Sequence, residues 1–300
     1  MTETLKKEGM NGHPTWEAQR LERLDLHAHA ASYNDWMQAI RPLCQDIFAM
    51  REPSAKVRAL AALWSQRPQW SIDPQVVLSP ECAVGRPARP TLKPPKHVPS
   101  RKLTSPQGLA ALVHSVCHIE FNAINLALDA VWRFTGLPQD YYLDWLRVAY
   151  EESTHFAMLE SLLQEMGHAY GDFDAHDGLW EMCQKTRHDP LARMALVPRV
   201  LEARGLDATP QIQVKLKTLD SPHAAKASGI LDTILRDEVT HVLVGNRWYN
   251  WLCQRAGVDP SRHSEELAIT YLAPKLRPPF NLLARRQAGF NDLELERLAP

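Results

Sequence analysis

One arrangement constrains this chain more than any other: a lone glutamate followed by a Glu-x-x-His step, occurring twice in the same order. Glu120 precedes Glu152-Ser153-Thr154-His155 by 32 residues, and Glu202 precedes Glu238-Val239-Thr240-His241 by 36. Residues three apart on a helix project from one face. Both steps and Glu120 lie in apolar stretches with helical spacing, among them Trp145, Leu146, Val148, Ala149, Phe156 and Leu159 around the first step. Leu231, Ile234, Leu235, Val242 and Leu243 surround the second. Glu202 follows Met194, Leu196, Val197, Val200 and Leu201. Four carboxylates directed into one apolar bundle are costly unless paired or metal-bound. Two divalent cations balance four glutamates, which argues for two metals rather than one. Two helices each giving a Glu, and two each giving Glu-x-x-His, are the pattern of a di-metal carboxylate four-helix bundle.

A single Glu-x-x-His step carries little weight, because 18 Glu and 13 His in 300 residues make a chance occurrence expected. The chain contains a third, Glu165-Met166-Gly167-His168, next to Gly167 and Gly171, where helices commonly stop. It has no matching lone glutamate and is set aside. Taken one at a time, each of these residues has an ordinary reading as a solvated helix-face glutamate or a hydrogen-bonded histidine. The doubled order is what favours ligation.

Four stretches carry a resemblance. His118-Ile119-Glu120-Phe121-Asn122, Glu151-Glu152-Ser153-Thr154-His155-Phe156, Val200-Leu201-Glu202-Ala203-Arg204 and Arg236-Asp237-Glu238-Val239-Thr240-His241 resemble an uncharacterised bacterial ferritin-like family, over about residues 51–290. The ligand order is also distantly similar to that of tRNA hydroxylases and other di-iron oxygenases, an analogy at the level of fold. The resemblance implies an all-α, ferritin-like four-helix bundle. Its metal ligands would be Glu120, Glu152, His155, Glu202, Glu238 and His241. It also implies that the acid before each ligand glutamate reaches across to the histidine of the other step, Asp237 to His155 and Glu151 to His241. Such outer partners fix the imidazole tautomer.

Apolar content of 45% and 23% charge describe an ordinary globular chain. A net charge of −1 argues against nucleic acid or an anionic membrane as partner. The N-terminus lacks an apolar signal core, and no uninterrupted apolar run approaches bilayer-spanning length. Five widely spaced cysteines (Cys44, Cys82, Cys117, Cys183, Cys253) contain no Cys-x-x-Cys, which excludes a zinc ribbon or rubredoxin site and fits a reducing cytoplasm.

The pattern predicts a disordered tail over 1–14, then two or three helices over 15–67, with apolar stripes Trp36, Ala39, Ile40, Leu43, Ile47, Phe48 and Val57, Leu60, Ala61, Leu63. Eight prolines between 68 and 105 exclude helix there. Trp70, Ile72, Val76, Val77 and Leu78 suggest an extended segment packed on the bundle, so that 15–105 forms one N-terminal extension. The bundle spans 106–257. Its helices are expected near Pro106–Phe134, Tyr141–Met166, Asp189–Ala203 (with Gly205 as its cap) and Pro222–Arg255, with a short helix near Leu179–Lys185. A proline-rich tail, 258–300, holds a short helical piece near Ser264–Tyr271 and the basic run Arg285-Arg286-Gln287, read as solvated surface.

Mixed imidazole and carboxylate ligation suits iron or manganese. The favoured expectation is an oxidase or oxygenase that holds two metal ions, di-iron or Mn/Fe, and acts on a small-molecule or macromolecular substrate with an electron donor, neither specified by the sequence. Tyr249 is a redox neighbour or a hydrogen-bonding core aromatic. The alternatives are a ferritin- or rubrerythrin-like iron-binding protein and a non-catalytic metal-binding bundle. The missing cysteine pairs weigh against rubrerythrin, and the long extensions against a cage. A homodimer is open.

Overall fold

The computed structural model describes residues 33–298 apart from 68, 69 and 71, with side chains from Ile40 onward. The expected tail over 1–14, the first part of the 15–67 helical region, and the side chains of Trp36 and Ala39 lie outside that description. The described residues are helical without a strand; an isolated bridge joins Leu92 to Ala175.

Helix α1 (Tyr33–Phe48) and α2 (Pro53–Ser65) form the N-terminal extension. Two long helices follow, α3 (Pro106–Arg133) and α4 (Gln139–Glu165), and they pack against each other along their length. Ser105 starts α3 by accepting the Gly108 N–H at 3.0 Å, with Pro106 in the first turn. The chain then passes through α5 (Gly178–Lys185) and α6 (Pro190–Leu196) into a π turn (Val197–Glu202) and α7 (Ala203–Leu216). Asp189 caps α6 by accepting the N–H groups of Leu191 and Ala192. Helix α8 (Pro222–Ala256) runs from the Ser221 cap to Gly257, whose φ of 68° suits a glycine terminator. It packs on α7 and on α4, which joins the two helical pairs.

Segment 72–105 runs over the helices, with Ile72 buried at its start and Trp70 buried just before it. Val77 departs from expectation: it is 83% exposed. Backbone anchoring rather than apolar burial sets the path there. The buried Arg41 guanidinium donates to the carbonyls of Pro74 (3.2 Å) and Val76 (2.5 Å), and on its other edge to Val131, Trp132 and Phe134 at the end of α3. Lys56, also buried, donates to Phe48 O, Gly85 O and Asn125 Oδ1. Helix α3 is long and apolar enough to cross a membrane, yet 72% of that window is buried inside the fold.

Two expected features are corrected. The third bundle helix does not end at Gly205; the helical path continues to Leu216, with Gly205 in the first turn of α7 beside Glu238. The C-terminal region is more ordered than a tail. It holds α9 (Pro260–Thr270), α10 (Leu282–Gln287) and α11 (Asp292–Glu296). Arg285, read as solvated, is fully buried against Asp207. Ala284 and Ala288 form a small second core with Ala203, Leu206 and Val242.

Candidate metal centre

Three helices and the π turn bring all six predicted ligands into the buried interior: Glu120 from α3, Glu152 and His155 from α4, Glu202 from the π turn, Glu238 and His241 from α8. In α4 and α8 the three-residue step places each glutamate and histidine on one face. His155 Nδ1 lies 3.3 Å from Glu152 Oε2, and His241 Nδ1 lies 3.2 Å from Glu238 Oε2.

The side chains form two donor groups: Glu120, Glu152 and His155, and Glu152, Glu238 and His241. Within each, the candidate ligand atoms lie within 4.8 Å of one another. Glu152 belongs to both. One of its carboxylate oxygens faces His155, and the other lies 2.8 Å from His241 Nδ1. His155 Nδ1 also lies 3.2 Å from Glu120 Oε2. The imidazole rings sit 5.8 Å apart between centroids.

The outer nitrogens cross over. His155 Nε2 meets Asp237 Oδ2 of α8 at 3.1 Å, and His241 Nε2 meets Glu151 Oε2 of α4 at 2.9 Å. Each carboxylate thus accepts the Nε2–H of the opposite histidine and leaves Nδ1 turned to the cluster. Each is backed by an arginine at the surface, Arg236 at 2.9 Å from Asp237 and Arg147 at 2.8 Å from Glu151.

Glu202 belongs to neither group. It is 6% exposed, and neither carboxylate oxygen has a hydrogen-bond partner among the described residues. Its position follows from Pro198. Lacking an N–H, Pro198 cannot extend the α6 ladder, and the chain widens into a π turn. The turn presses on α8 at Gly245, where a Cβ would lie 2.4 Å from Pro198 Cβ.

The charges act on one another strongly. Burial pushes the Glu120 and Glu202 carboxyls well above the usual range, and neighbouring carboxylates push the same way: Glu152 on Glu120, Glu238 and Glu152 on Glu202. Burial also raises Glu238. For Glu152 burial works upward but is outweighed by His241 and His155, so it stays below its ordinary value. Burial opposes protonation of His155, yet Glu120 and Glu152 lift it to about 11. His241 is raised well above normal against the same penalty, by Glu152 and Glu151.

These residues could hold metal. The donor set is nitrogen and oxygen without sulfur, one carboxylate spans two groups, and a buried carboxylate of unmet valence stands beside them. The set-aside third step takes no part. Glu165 pairs with Lys226 at 2.5 Å, and His168 Nδ1 faces Asp172 at 3.6 Å. Tyr249 is buried, donates to Pro260 O at 2.7 Å, and lies under the Arg199 guanidinium at 4.3 Å. Periodicity did not reveal the buried polar face of α3, where His114, His118, Asn122, Asn125 and Asp129 recur at steps of four, four, three and four. The first four bind the extension and the loop after α4, as in Arg86 to Asn122 (3.2 Å) and His118 to Tyr170 (2.8 Å), while Asp129 accepts from Arg133 and from Arg193 of α6.

Residues 49–296 match a family model described as "Protein of unknown function (DUF455)". An uncharacterized protein of Haemophilus influenzae is 49% identical over 217 residues, covering 70% of this chain and 74% of that one. No solved structure matches. With the match running from α2 to the last helix, the chain belongs to the DUF455 family.

Proposed function

We propose that this chain is a ferritin-like di-metal carboxylate protein that acts as an oxidase or oxygenase on an organic substrate. The single observation that carries the reading is the Glu152 carboxylate set between two histidines, each held from behind by an acid of the opposite helix. Glu120, Glu152 and His155 would hold one ion, and Glu152, Glu238, His241 and Glu202 the other. Two iron ions, or manganese with iron, would supply the capacity to activate dioxygen and accept electrons. The protein's own contribution is positional. Asp237 and Glu151 keep the Nε2–H tautomer, so that Nδ1 offers its lone pair inward. Burial of all six side chains keeps bulk water from the cluster and strengthens each charge interaction there.

The test is elemental analysis of the purified full chain. Near two equivalents of iron, or of iron plus manganese, supports the reading and justifies oxygen-uptake assays with candidate substrates. Failure to take up metal after anaerobic Fe(II) loading overturns it. A very large cage-like assembly on size exclusion would favour iron storage instead.

A further inference from the structure

The C-terminal helices bring no ligand to the cluster, yet their charged side chains reach the π turn that carries Glu202. Two clasps do this, one on each side of Glu202. On the near side, the buried Arg199 guanidinium donates to Glu294 of α11, to Ser264 Oγ at 3.2 Å and to Asn246 Oδ1 at 2.5 Å. Its face stacks on the ring of Tyr249. On the far side, Arg285 of α10 donates two hydrogen bonds to Asp207, at 3.0 and 2.6 Å, and a third to Ala203 O, the carbonyl directly after Glu202. Asn281 N–H adds a bond to Asp207 at 2.9 Å, and Asn246 Nδ2 returns one to Ala288 O at 2.7 Å.

Burying a guanidinium–carboxylate pair gains little stability compared with an apolar pair of the same shape, so its value lies in fixing one geometry. The geometry fixed here is unusual. A π turn is a rare interruption of a helix, and this one is also pressed against α8 at Gly245, one turn beyond His241. Pro198 sets where the turn begins, but without clasps at Arg199 and Asp207 the winding of the residues that follow it is free to shift. That would rotate Glu202 away from the cluster, because one residue of register is about 100° of helix. The arm's inner side adds Ala284 and Ala288 to the second core, while Leu283 and Leu293 on its outer side are exposed.

We propose that Arg285 and Glu294 are positioning residues for Glu202: the C-terminal arm grips both flanks of the π turn and keeps that carboxylate beside Glu238 and His241. The inference rests on reading Glu202 as a ligand of the second ion.

The experiment is an anaerobic Fe(II) titration of the full chain by calorimetry, with the melting temperature of the metal-free protein measured alongside. In Glu294→Gln and Arg285→Lys, the first equivalent should bind as in the wild type and the second about tenfold or more weakly, the usual effect of losing an outer partner. Exchanging the clasp, Arg285→Asp with Asp207→Arg, should restore the second equivalent. Arg285→Lys keeps the positive charge, so a folded variant is available even where larger changes unfold the arm. Wild-type binding of both equivalents in both clasp variants overturns the inference. So does equal weakening of both equivalents with a matching fall in melting temperature, which marks a merely structural role. Glu202→Ala separates the two levels. If it keeps two equivalents, the ligand reading fails; if it loses one while the clasp variants keep two, only the positioning role fails.

Discussion

The crossed acids make a prediction that sequence adjacency alone would reverse. Asp237 is joined to Glu238, so a local view assigns it to the ion held by Glu238 and His241. In the fold its carboxylate accepts from His155 on the opposite helix. Removing it should therefore weaken the Glu120–Glu152–His155 position. The lost interaction is a hydrogen bond between an imidazole and a charged acceptor, worth about 1.5–3 kcal/mol when desolvated. The Asp237 side chain is 24% exposed and shared with Arg236, which favours the lower half of that range. The expected loss in affinity is about 10- to 40-fold, within the usual span for outer partners of a metal-bound histidine. The assay begins from His241→Ala, which leaves one intact position. In that background Asp237→Ala should weaken Co(II) or Fe(II) binding by that factor, while Glu151→Ala should change it only slightly. In the mirror background, His155→Ala, the two effects should exchange. If Asp237→Ala and Glu151→Ala weaken a given position equally, the outer carboxylates act as general negative charge, and the crossed pairing has no functional meaning.

Further expectations concern single residues. Glu152→Ala should abolish both equivalents, because its carboxylate serves both histidines, whereas Glu120→Ala should remove one; metal analysis after gel filtration decides it. His168→Ala should leave metal content unchanged, and a loss there would show that the wrong Glu-x-x-His step was set aside. In Gly245→Ala the new methyl would meet Pro198 at 2.4 Å, so the π turn must move outward; the expected destabilisation is about 1–3 kcal/mol, with a weaker second equivalent, read by denaturation and metal titration. Burial depresses Lys56 well below the ordinary lysine value of 10.5, so the unfolded chain binds more protons between the folded value and 10.5. Stability carried by this group should rise with pH across that window, and Lys56→Met should flatten the rise in urea melts at several pH values.

How far the site could be read from the chain depends on whether its geometry is local. The Glu-x-x-His steps were legible because three residues on a helix decide their direction without tertiary information, and α4 and α8 place them as that rule requires. Glu120 was legible through its neighbours at helical spacing. The setting of Glu202 was not. It depends on a proline without an N–H, on a glycine of α8 that lets the turn approach, and on arginines whose partners lie far along the sequence. Gly205 looked like a helix terminator for the same reason: composition gives the local preference, and packing of α7 on α8 overrides it. Arg285-Arg286-Gln287 looked like solvated surface because nothing nearby announces Asp207, 78 residues away. Val77 looked like a residue seeking burial, but Arg41 fixes that segment through backbone carbonyls, which leave no trace in side-chain pattern.

The electrostatics of the centre explain how so acidic a cluster can stand in an apolar bundle. Four glutamates with no counter-charge would carry a penalty of several kcal/mol each. The perturbed groups show how that penalty is avoided without metal. Burial pushes the Glu120, Glu202 and Glu238 carboxyls toward their neutral form, while Glu120 and Glu152 favour the charged form of His155, and Glu152 and Glu151 that of His241. Were the two proposed divalent ions bound, the glutamates would be ionised and the Nδ1 protons displaced. The balance is again close to neutral. Protons and metal ions are thus alternative occupants of one charge deficit, and the helices that define it are held by separate means: the caps of α3 and α8, the Arg41 and Lys56 anchors, and the continuous core. A fold that depended on metal would be expected to lose its structure on chelation. If the proposed ions bind here, chelation would exchange them for protons inside a scaffold already closed.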